Sequence, residues 1–492
     1  MIFLTRCIAI IFVSILLITN LAKAQSKPNI VFIYTDDQAY YTIHALGNKE
    51  IETPNLDRLA RMGKSFTNAY NMGAWHGAVC VASRSMIITG RTIWNVKKIE
   101  DKLPGFSETT WPKMMERAGY ETYMTGKWHV NIDPNKIFQH VTDVKPGMLP
   151  YGTPENAKLP GFVSNKNFNT PGYNRPQSAN DNTWSPSDER FGGYWENGTH
   201  QSVIFKKNSI SHIEAAGRQE KPFFLYLASN APHDPRQSPE EYIDKYPLNG
   251  ISMPKSWLPE NPYKDSIGND ASLRDEALAP FPRTELAIKT HLQEYYAAVT
   301  FLDKQIGEIL DALEATGKMN NTYIFFTADH GLAMGRHGFM GKQTLFEHSM
   351  KPPVIVAGPG IAPNTISEMP VYLQDIMATS LELANAEKLN NVEFQSFLSA
   401  AKGISNKRIH KAIYGGYMNL QRSVRVGDHK LILFPKINKI LLFDLNKDPE
   451  EMHNLADDKK YKSTAKQLFA ALLKEQKKLN DPLDITNMAE LL

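Results

Sequence analysis

The sequence is 492 residues long, 42% hydrophobic and 22% charged. Those proportions exclude a disordered or collagen-like chain and supply roughly two to four domains' worth of polypeptide, or one large α/β body with a satellite, so a core can form without disulfide staples. Lys and Arg total 55 against 52 Asp and Glu, a net charge of +3, which excludes a nucleic-acid binder working by bulk attraction.

Residues 1–24 read as a secretory signal. Arg6 supplies the positive start, residues 7–18 the apolar stretch, and Ala22-Lys23-Ala24 the small-x-small cleavage pattern. The apolar run is shorter than the ~20 residues of a spanning helix. The expected product is therefore exported, periplasmic or secreted, with no permanent membrane anchor. Of the two cysteines, Cys7 leaves with the signal and Cys80 stands alone. A lone thiol in a disulfide-permissive compartment calls for a reason other than cross-linking.

The run NIVFIYT at 29–35 has a buried-strand pattern and ends at Asp36-Asp37. Residues 54–62 read as a helix, with Thr53 before it and Pro54 at its first position. Helices follow at 110–118 and 202–216, closed by Gly119 and Gly217. FFLYLAS at 223–229 is a second buried strand. The longest helix, 285–316, carries Leu292, Tyr295, Tyr296, Val299, Leu302, Ile306, Ile309 and Leu313 at three- and four-residue spacings. YIFFTA at 323–328 and residues 354–357 complete the buried strands. Strands alternating with helices imply an α/β fold, a mostly parallel sheet sandwiched by helices. In such sheets chemistry collects at the carboxyl ends of strands, where Asp36-Asp37, His233-Asp234 and Asp329-His330 all fall.

Residues 140–200, rich in Pro, Gly, Asn and aromatics, read either as ordered loops walling a cleft or as a floppy insertion. After about residue 405 the pattern shortens: strand-like runs at 412–414, 421–426, 430–434 and 440–444, then a charged amphipathic helix at 461–479. The expected division is a signal at 1–24, a main α/β domain at 25–404 and a smaller C-terminal α+β subdomain at 405–492, containing a short antiparallel sheet.

The sharpest signal is CVASRSMIITGR at 80–91. It resembles the signature of the formylglycine-dependent sulfatases, C-x-(P/A)-S-R followed by an apolar stretch and T-G-R. The resemblance runs from Lys27 to about Leu455, through NIVFIYTDDQ (29–38), TPNLD (53–57), GKWH (126–129), APHD (231–234), TADHG (327–331), GKQTLFE (341–347), RSVRVGDHKL (422–431) and FDLNKDPEEMHNL (443–455). Each piece is weak alone; their order is specific. The resemblance implies an alkaline-phosphatase-like fold and a catalytic domain that hydrolyses sulfuric esters. It also implies one divalent cation and a formylglycine made from Cys80 by a maturation enzyme, its hydrated aldehyde acting as nucleophile.

The residue types suit that chemistry. A transferring sulfuryl group keeps charged oxygens, as in phosphoryl transfer, and so needs a cation and fixed positive donors. Asp36, Asp37 and Asp329 offer hard oxygens suited to Ca²⁺; the resemblance adds His330 and residue 80. Imidazole suits softer metals, and His330 keeps open a phosphate or phosphonate monoester hydrolase on the same scaffold. By resemblance, Arg84 holds the nucleophile, Lys127 and Lys342 clamp sulfate, and His129 orients residue 80 and later removes its proton. Asp329 receives a proton from the nucleophile, and His233 is the acid for the leaving oxygen. Ser83 is read by the maturation machinery, whose efficiency is where Ala82, in place of the commoner Pro, has its effect. His76, Arg175, Arg190, His200, Arg236, His337 and His348 flank the motifs and read as ordinary loop residues. Export and aromatic loops point to a sulfated carbohydrate substrate; an unmodified Cys80 would leave a non-catalytic sulfated-glycan binder.

Overall fold

The computed structural model describes residues 27–149 and 172–492, so the expected signal and the middle of the 140–200 region lie outside it. Among the described residues the central sheet has eight strands: β1 (Asn29–Thr35), β2 (Lys64–Phe66), β3 (Glu121–Lys127), β4 (His140–Lys145), β5 (Phe223–Ala228), β6 (Thr322–Ala328), β7 (Val354–Ala357) and β8 (Thr365–Ser367). Their order is β8-β2-β7-β6-β1-β5-β3-β4. The run from β6 to β4 is parallel. β7 lies antiparallel to β6 and β2 antiparallel to β7, so the expected mostly parallel sheet has a mixed edge.

The sheet is flanked by α1 (Pro54–Met62), α2 (Val79–Thr89), α3 (Trp111–Arg117), α4 (Gln201–Gly217), α5 (Glu285–Ala315) and α6 (Asp375–Leu383). Successive strand residues point to opposite faces. Val31 and Ile33 pack with Leu56 of α1, Phe205 of α4 and Leu302 and Ile306 of α5. Ile30, Phe32 and Tyr34 pack with Met86 of α2, Trp111 of α3 and Ile376 of α6. Burial on both faces explains why β1, β5 and β6 read as unbroken apolar runs. No helix among the described residues is long and apolar enough to cross a membrane.

β3 escaped the apolar pattern because ETYMTGK is half polar. Thr122 is buried in it all the same, since its N–H donates to Gln139 Oε1 at 2.9 Å and its hydroxyl accepts from Gln139 N at 3.1 Å. The C-terminal sheet is the antiparallel meander β9 (Ile413–Tyr417), β10 (Gln421–Val426), β11 (His429–Phe434) and β12 (Lys439–Asp444), backed by α7 (Lys462–Leu479). The short strand Gly73–Ala74, from the N-terminal side of α2, joins its edge parallel to β9.

Candidate active site

Four adjacent parallel strands deliver the site from their carboxyl ends. Asp36 and Asp37 follow β1, Lys127 closes β3 with His129 two residues on, His233 follows β5, and Asp329-His330 follow β6. Cys80 is the second residue of α2, and Arg84 lies one turn further on. In β3 the register shifts between Thr125 and Gly126. Gly126 has φ +91°, and a Cβ there would collide with Ala228 O, so only glycine allows the bend that sends Lys127 inward. Asp37 (φ 61°) and His129 (φ 59°) hold left-handed conformations uncommon for side-chain-bearing residues, as strained functional positions do.

Ligand atoms of Asp36, Asp37, Cys80, Asp329 and His330 all lie within 4.8 Å of one another, and all five residues are buried. Carbonyl oxygens only accept, so the 2.7 Å contact to Gly331 O places the ring proton of His330 on Nδ1. Its Nε2 then faces Asp37 Oδ1 at 3.1 Å and Asp329 Oδ1 at 3.4 Å. Burial opposes protonation of this imidazole, but Asp329, Asp37 and Cys80 outweigh it and hold the ring well above its usual range. With no cation bound, the ring itself therefore supplies positive charge between the two carboxylates. Asp36 Oδ1 is buried with no hydrogen-bond partner. Three carboxylates, an imidazole and an unspent oxygen fit a divalent cation.

Fixed cations ring this cluster. Lys127 Nζ donates to Asp36 Oδ2. Lys342 Nζ donates to Asp37 Oδ1 at 2.7 Å and Oδ2 at 2.8 Å, and stands 3.4 Å from both Cys80 Sγ and His233 Nε2. Arg84 meets the carboxylates rather than Cys80: its Nε donates to Asp329 Oδ2 at 3.1 Å, Nη2 lies 3.6 Å from Asp36 Oδ1, and Nη1 donates to Lys127 O at 3.2 Å. Burial disfavours ionisation of the Cys80 thiol, but Lys127, Lys342 and His330 outweigh it and hold the thiol well below its usual range. Burial likewise opposes the charged forms of Asp37 and Lys342. Lys342 and His233 nevertheless keep Asp37 ionised, while Asp275 and Asp37 keep Lys342 charged. The position of residue 80 is thus built to hold negative charge.

Cys80, His129, His233 and Lys342 open into a cavity of about 300 Å³. Its remaining wall is Gly77, Ala78, Gly147, Met148, Leu273, Arg274, Asp275 and Gln343. Gly147 and Met148 show that part of the 140–200 region does wall the cleft. His233 is oriented by its Nδ1–H, which donates to Asp234 O at 2.7 Å. The flanking residues are structural. Arg175 pairs with Glu294 (2.6 Å), His200 Nδ1 accepts from Ser202 N (3.1 Å) at the start of α4, and His337 stacks on Phe346. His76, Arg190, Arg236 and His348 also lie outside the cavity wall.

The sequence reading missed Arg274, Asp275 and Glu276. Arg274 Nη1 donates to Asp234 Oδ2 at 2.9 Å. Asp275 Oδ2 accepts from Gln343 Nε2 at 2.7 Å. Glu276 accepts from Met340 N and Gly341 N, each at 3.0 Å, fixing the loop that carries Lys342. The three charges sit in an irregular stretch before α5, where no periodicity marks them.

A mostly parallel sheet covered on both faces, with a buried acidic cluster and a nucleophile position at its strand ends, defines an alkaline-phosphatase-like α/β hydrolase. Residues 28–386 match the family described as Sulfatase, and residues 335–478 match N-sulphoglucosamine sulphohydrolase, C-terminal. The chain belongs to the sulfatase family and is a sulfuric ester hydrolase. It is 29% identical over 473 residues to an arylsulfatase of Clostridium perfringens, covering 91% of this chain and 94% of that one. The structure of BT4656 in complex with its substrate D-glucosamine-2-N,6-O-disulfate is similar at a TM-score of 0.70 and 22% identity, covering 93% of this chain and 99% of that one. A phosphonate monoester hydrolase from Silicibacter pomeroyi is similar at 0.71 and 22%, covering 92% and 96%. The two structural likenesses show a shared fold.

Proposed function

We propose that this sulfatase removes sulfate from a sulfated carbohydrate, with a formylglycine made from Cys80 as nucleophile and a calcium ion bound beside it. The observation that carries this reading is the convergence of Asp36, Asp37, Asp329 and His330 on Cys80, inside a ring of Lys127, Lys342 and Arg84. When present, the cation supplies positive charge to the sulfuryl oxygens and the formylglycine supplies an oxygen nucleophile. Asp36, Asp37, Asp329 and His330 would hold the cation, with residue 80 completing the set.

The protein's own groups then divide the work. Lys342 Nζ and Lys127 Nζ compensate anionic charge, and Arg84 fixes Asp36 and Asp329 from behind. His129 lies within hydrogen-bonding reach of residue 80 and is placed to accept a proton there. His233, locked by Asp234 O, turns Nε2 to the cavity and gives a proton to the leaving oxygen. The sugar in BT4656's bound substrate supports the carbohydrate reading. Export under the signal at 1–24, maturation of Cys80 by a formylglycine-generating enzyme, and a catalytic domain over 25–404 with a subdomain over 405–492 belong to the same proposal.

Three measurements test it. Turnover of aryl sulfate should exceed that of aryl phosphate and phosphonate esters; the reverse preference would make the chain a phosphate or phosphonate hydrolase. Intact-mass analysis of the peptide holding Cys80 should show loss of the thiol, whereas an intact thiol in protein from its native host would leave only a glycan binder. Desulfation of defined sulfated sugars, read by NMR, should give sulfate and an unmodified ring.

A further inference from the structure

The inner end of the cavity accounts for a sulfate group; its outer end holds three polar side chains that no step above uses. Gln343 has no donor to spare toward a ligand. Its Oε1 accepts from Lys342 N at 2.9 Å, and its Nε2 donates to Asp275 Oδ2 at 2.7 Å and Gly77 O at 3.0 Å. Asp275 is different. Oδ1 accepts from Arg274 Nη2 and Oδ2 from Gln343, with Lys342 Nζ 3.6 Å away. A carboxylate oxygen accepts two hydrogen bonds, so each retains an acceptor position, and Asp275, with its side chain 3% exposed, is one of the residues that line the cavity. Beside it, the Arg274 side chain is 24% exposed. Nη1 donates to Asp234 and Tyr173, each at 2.9 Å, Nη2 donates to Asp275 and stands 3.4 Å from His233 Nε2, and Nε–H has no partner among the described residues.

We propose that Asp275 and Arg274 form a clasp for hydroxyl groups on the ring that bears the sulfate ester, and that they make the enzyme selective for sugars with free, uncharged hydroxyls beside that ester. The inference rests on the carbohydrate reading above. Asp275 accepts from a ring hydroxyl, and the Arg274 Nε–H donates to the same or the neighbouring oxygen; such acceptor and donor pairs match a diol. Met148 and Leu273 line the same cavity and supply apolar surface for the ring's C–H face. A uronate carboxylate or a second sulfate at this position is disfavoured. Asp234 and Asp275 already compensate the Arg274 charge, and the incoming anion would face the Asp275 carboxylate.

The test compares a sulfated neutral monosaccharide with 4-nitrophenyl sulfate, which has no ring hydroxyls, for the wild type, Asp275→Ala and Asp275→Asn. The clasp predicts that the ratio of kcat/KM on sugar sulfate to that on aryl sulfate drops by about 10- to 100-fold in Asp275→Ala, the worth of a hydrogen bond to a charged group. Asp275→Asn, which keeps the shape, should lie between it and the wild type. A deoxy sugar lacking the hydroxyl beside the ester should be a poor substrate for the wild type yet lose nothing further in Asp275→Ala. Equal losses on both substrates, or a full further loss on deoxygenation, would overturn the clasp alone. A wild type that hydrolyses aryl sulfate but no sulfated sugar would remove the carbohydrate reading and the clasp with it.

Discussion

Gly147→Ala probes whether His129 works at residue 80 as proposed. A Cβ on Gly147 would meet Cε1, Nε2 and Nδ1 of the His129 ring together, a collision with the whole imidazole rather than with a flexible tip. To regain ordinary contact the ring must withdraw by more than about 1 Å, a displacement that typically costs on the order of 100-fold in a positioned catalytic group. Gly147 does not have positive φ, so alanine fits its backbone and the fold should hold, with a melting temperature within a few degrees of the wild type. The assay is kcat and KM on 4-nitrophenyl sulfate, with formylglycine content checked by mass so that failed maturation is not read as failed catalysis. The expected result is a roughly 100-fold lower kcat at full occupancy of the modification. The double variant Gly147→Ala/His129→Ala should be no slower than His129→Ala, because both act on one ring. A kcat within about threefold of wild type, or additive losses in the double variant, would refute the reasoning.

His233→Ala should impair sugar sulfates more than activated aryl sulfates, because only poor leaving groups need a proton; equal losses in kcat would take His233 out of the acid role. Chelation should lower both turnover and melting temperature, and added Ca²⁺ should restore both; full activity after exhaustive chelation would remove the cation from the site. Acid should destabilise the fold. His200 and His337 are each held by burial at a pKa of about 4, below the usual 6.5, so the unfolded chain binds protons more readily between those values. Their stabilisation is complete above about pH 6.5 and lost progressively toward pH 4, about 2 kcal/mol for each by pH 5. Urea melts at pH 7.5 and 5 measure it, and an unchanged midpoint would contradict it.

What the sequence displayed is what the fold repeats locally. β1, β5 and β6 are buried on both faces, so their apolar runs stand out, and the acids and histidine after them were legible as strand-end chemistry. The nucleophile motif was legible because α2 must carry Cys80, Arg84 and its apolar face within three turns. β3 was not, because Thr122 and Thr125 are buried in it and break the apolar run, and Thr122 is satisfied by Gln139, distant from any pattern of the strand's own. Gly147 and the stretch from Arg274 to Glu276 were invisible for a related reason. Their roles are contacts to residues far along the chain, and irregular backbone leaves no period to read. Even Arg84 was legible in place but not in partner: the motif sets it near Cys80, while the fold turns its guanidinium to Asp36 and Asp329.

The C-terminal motifs gain a physical meaning from the loop that carries Lys342. Lys342 must hold its ammonium among Asp37, Cys80 and His233 from a segment with no regular structure, so its backbone is fixed from outside. Glu276 takes Met340 N and Gly341 N on one side. On the other, Gln421, the first residue of β10, donates to Gln343 O at 2.9 Å and accepts from Leu345 N at 3.2 Å. Glu347 ends the same segment: its N–H donates to Glu451 at 2.6 Å, and its carboxylate shares Lys430 Nζ (2.9 Å) with Glu451 (2.8 Å). All of these groups are buried. Breaking a buried ion pair costs about 3–5 kcal/mol, so Lys430, which both glutamates share, is the group of the three whose loss is felt on both sides. GKQTLFE, RSVRVGDHKL and FDLNKDPEEMHNL are therefore one device written in three places: the meander β9–β12 buttresses a single lysine.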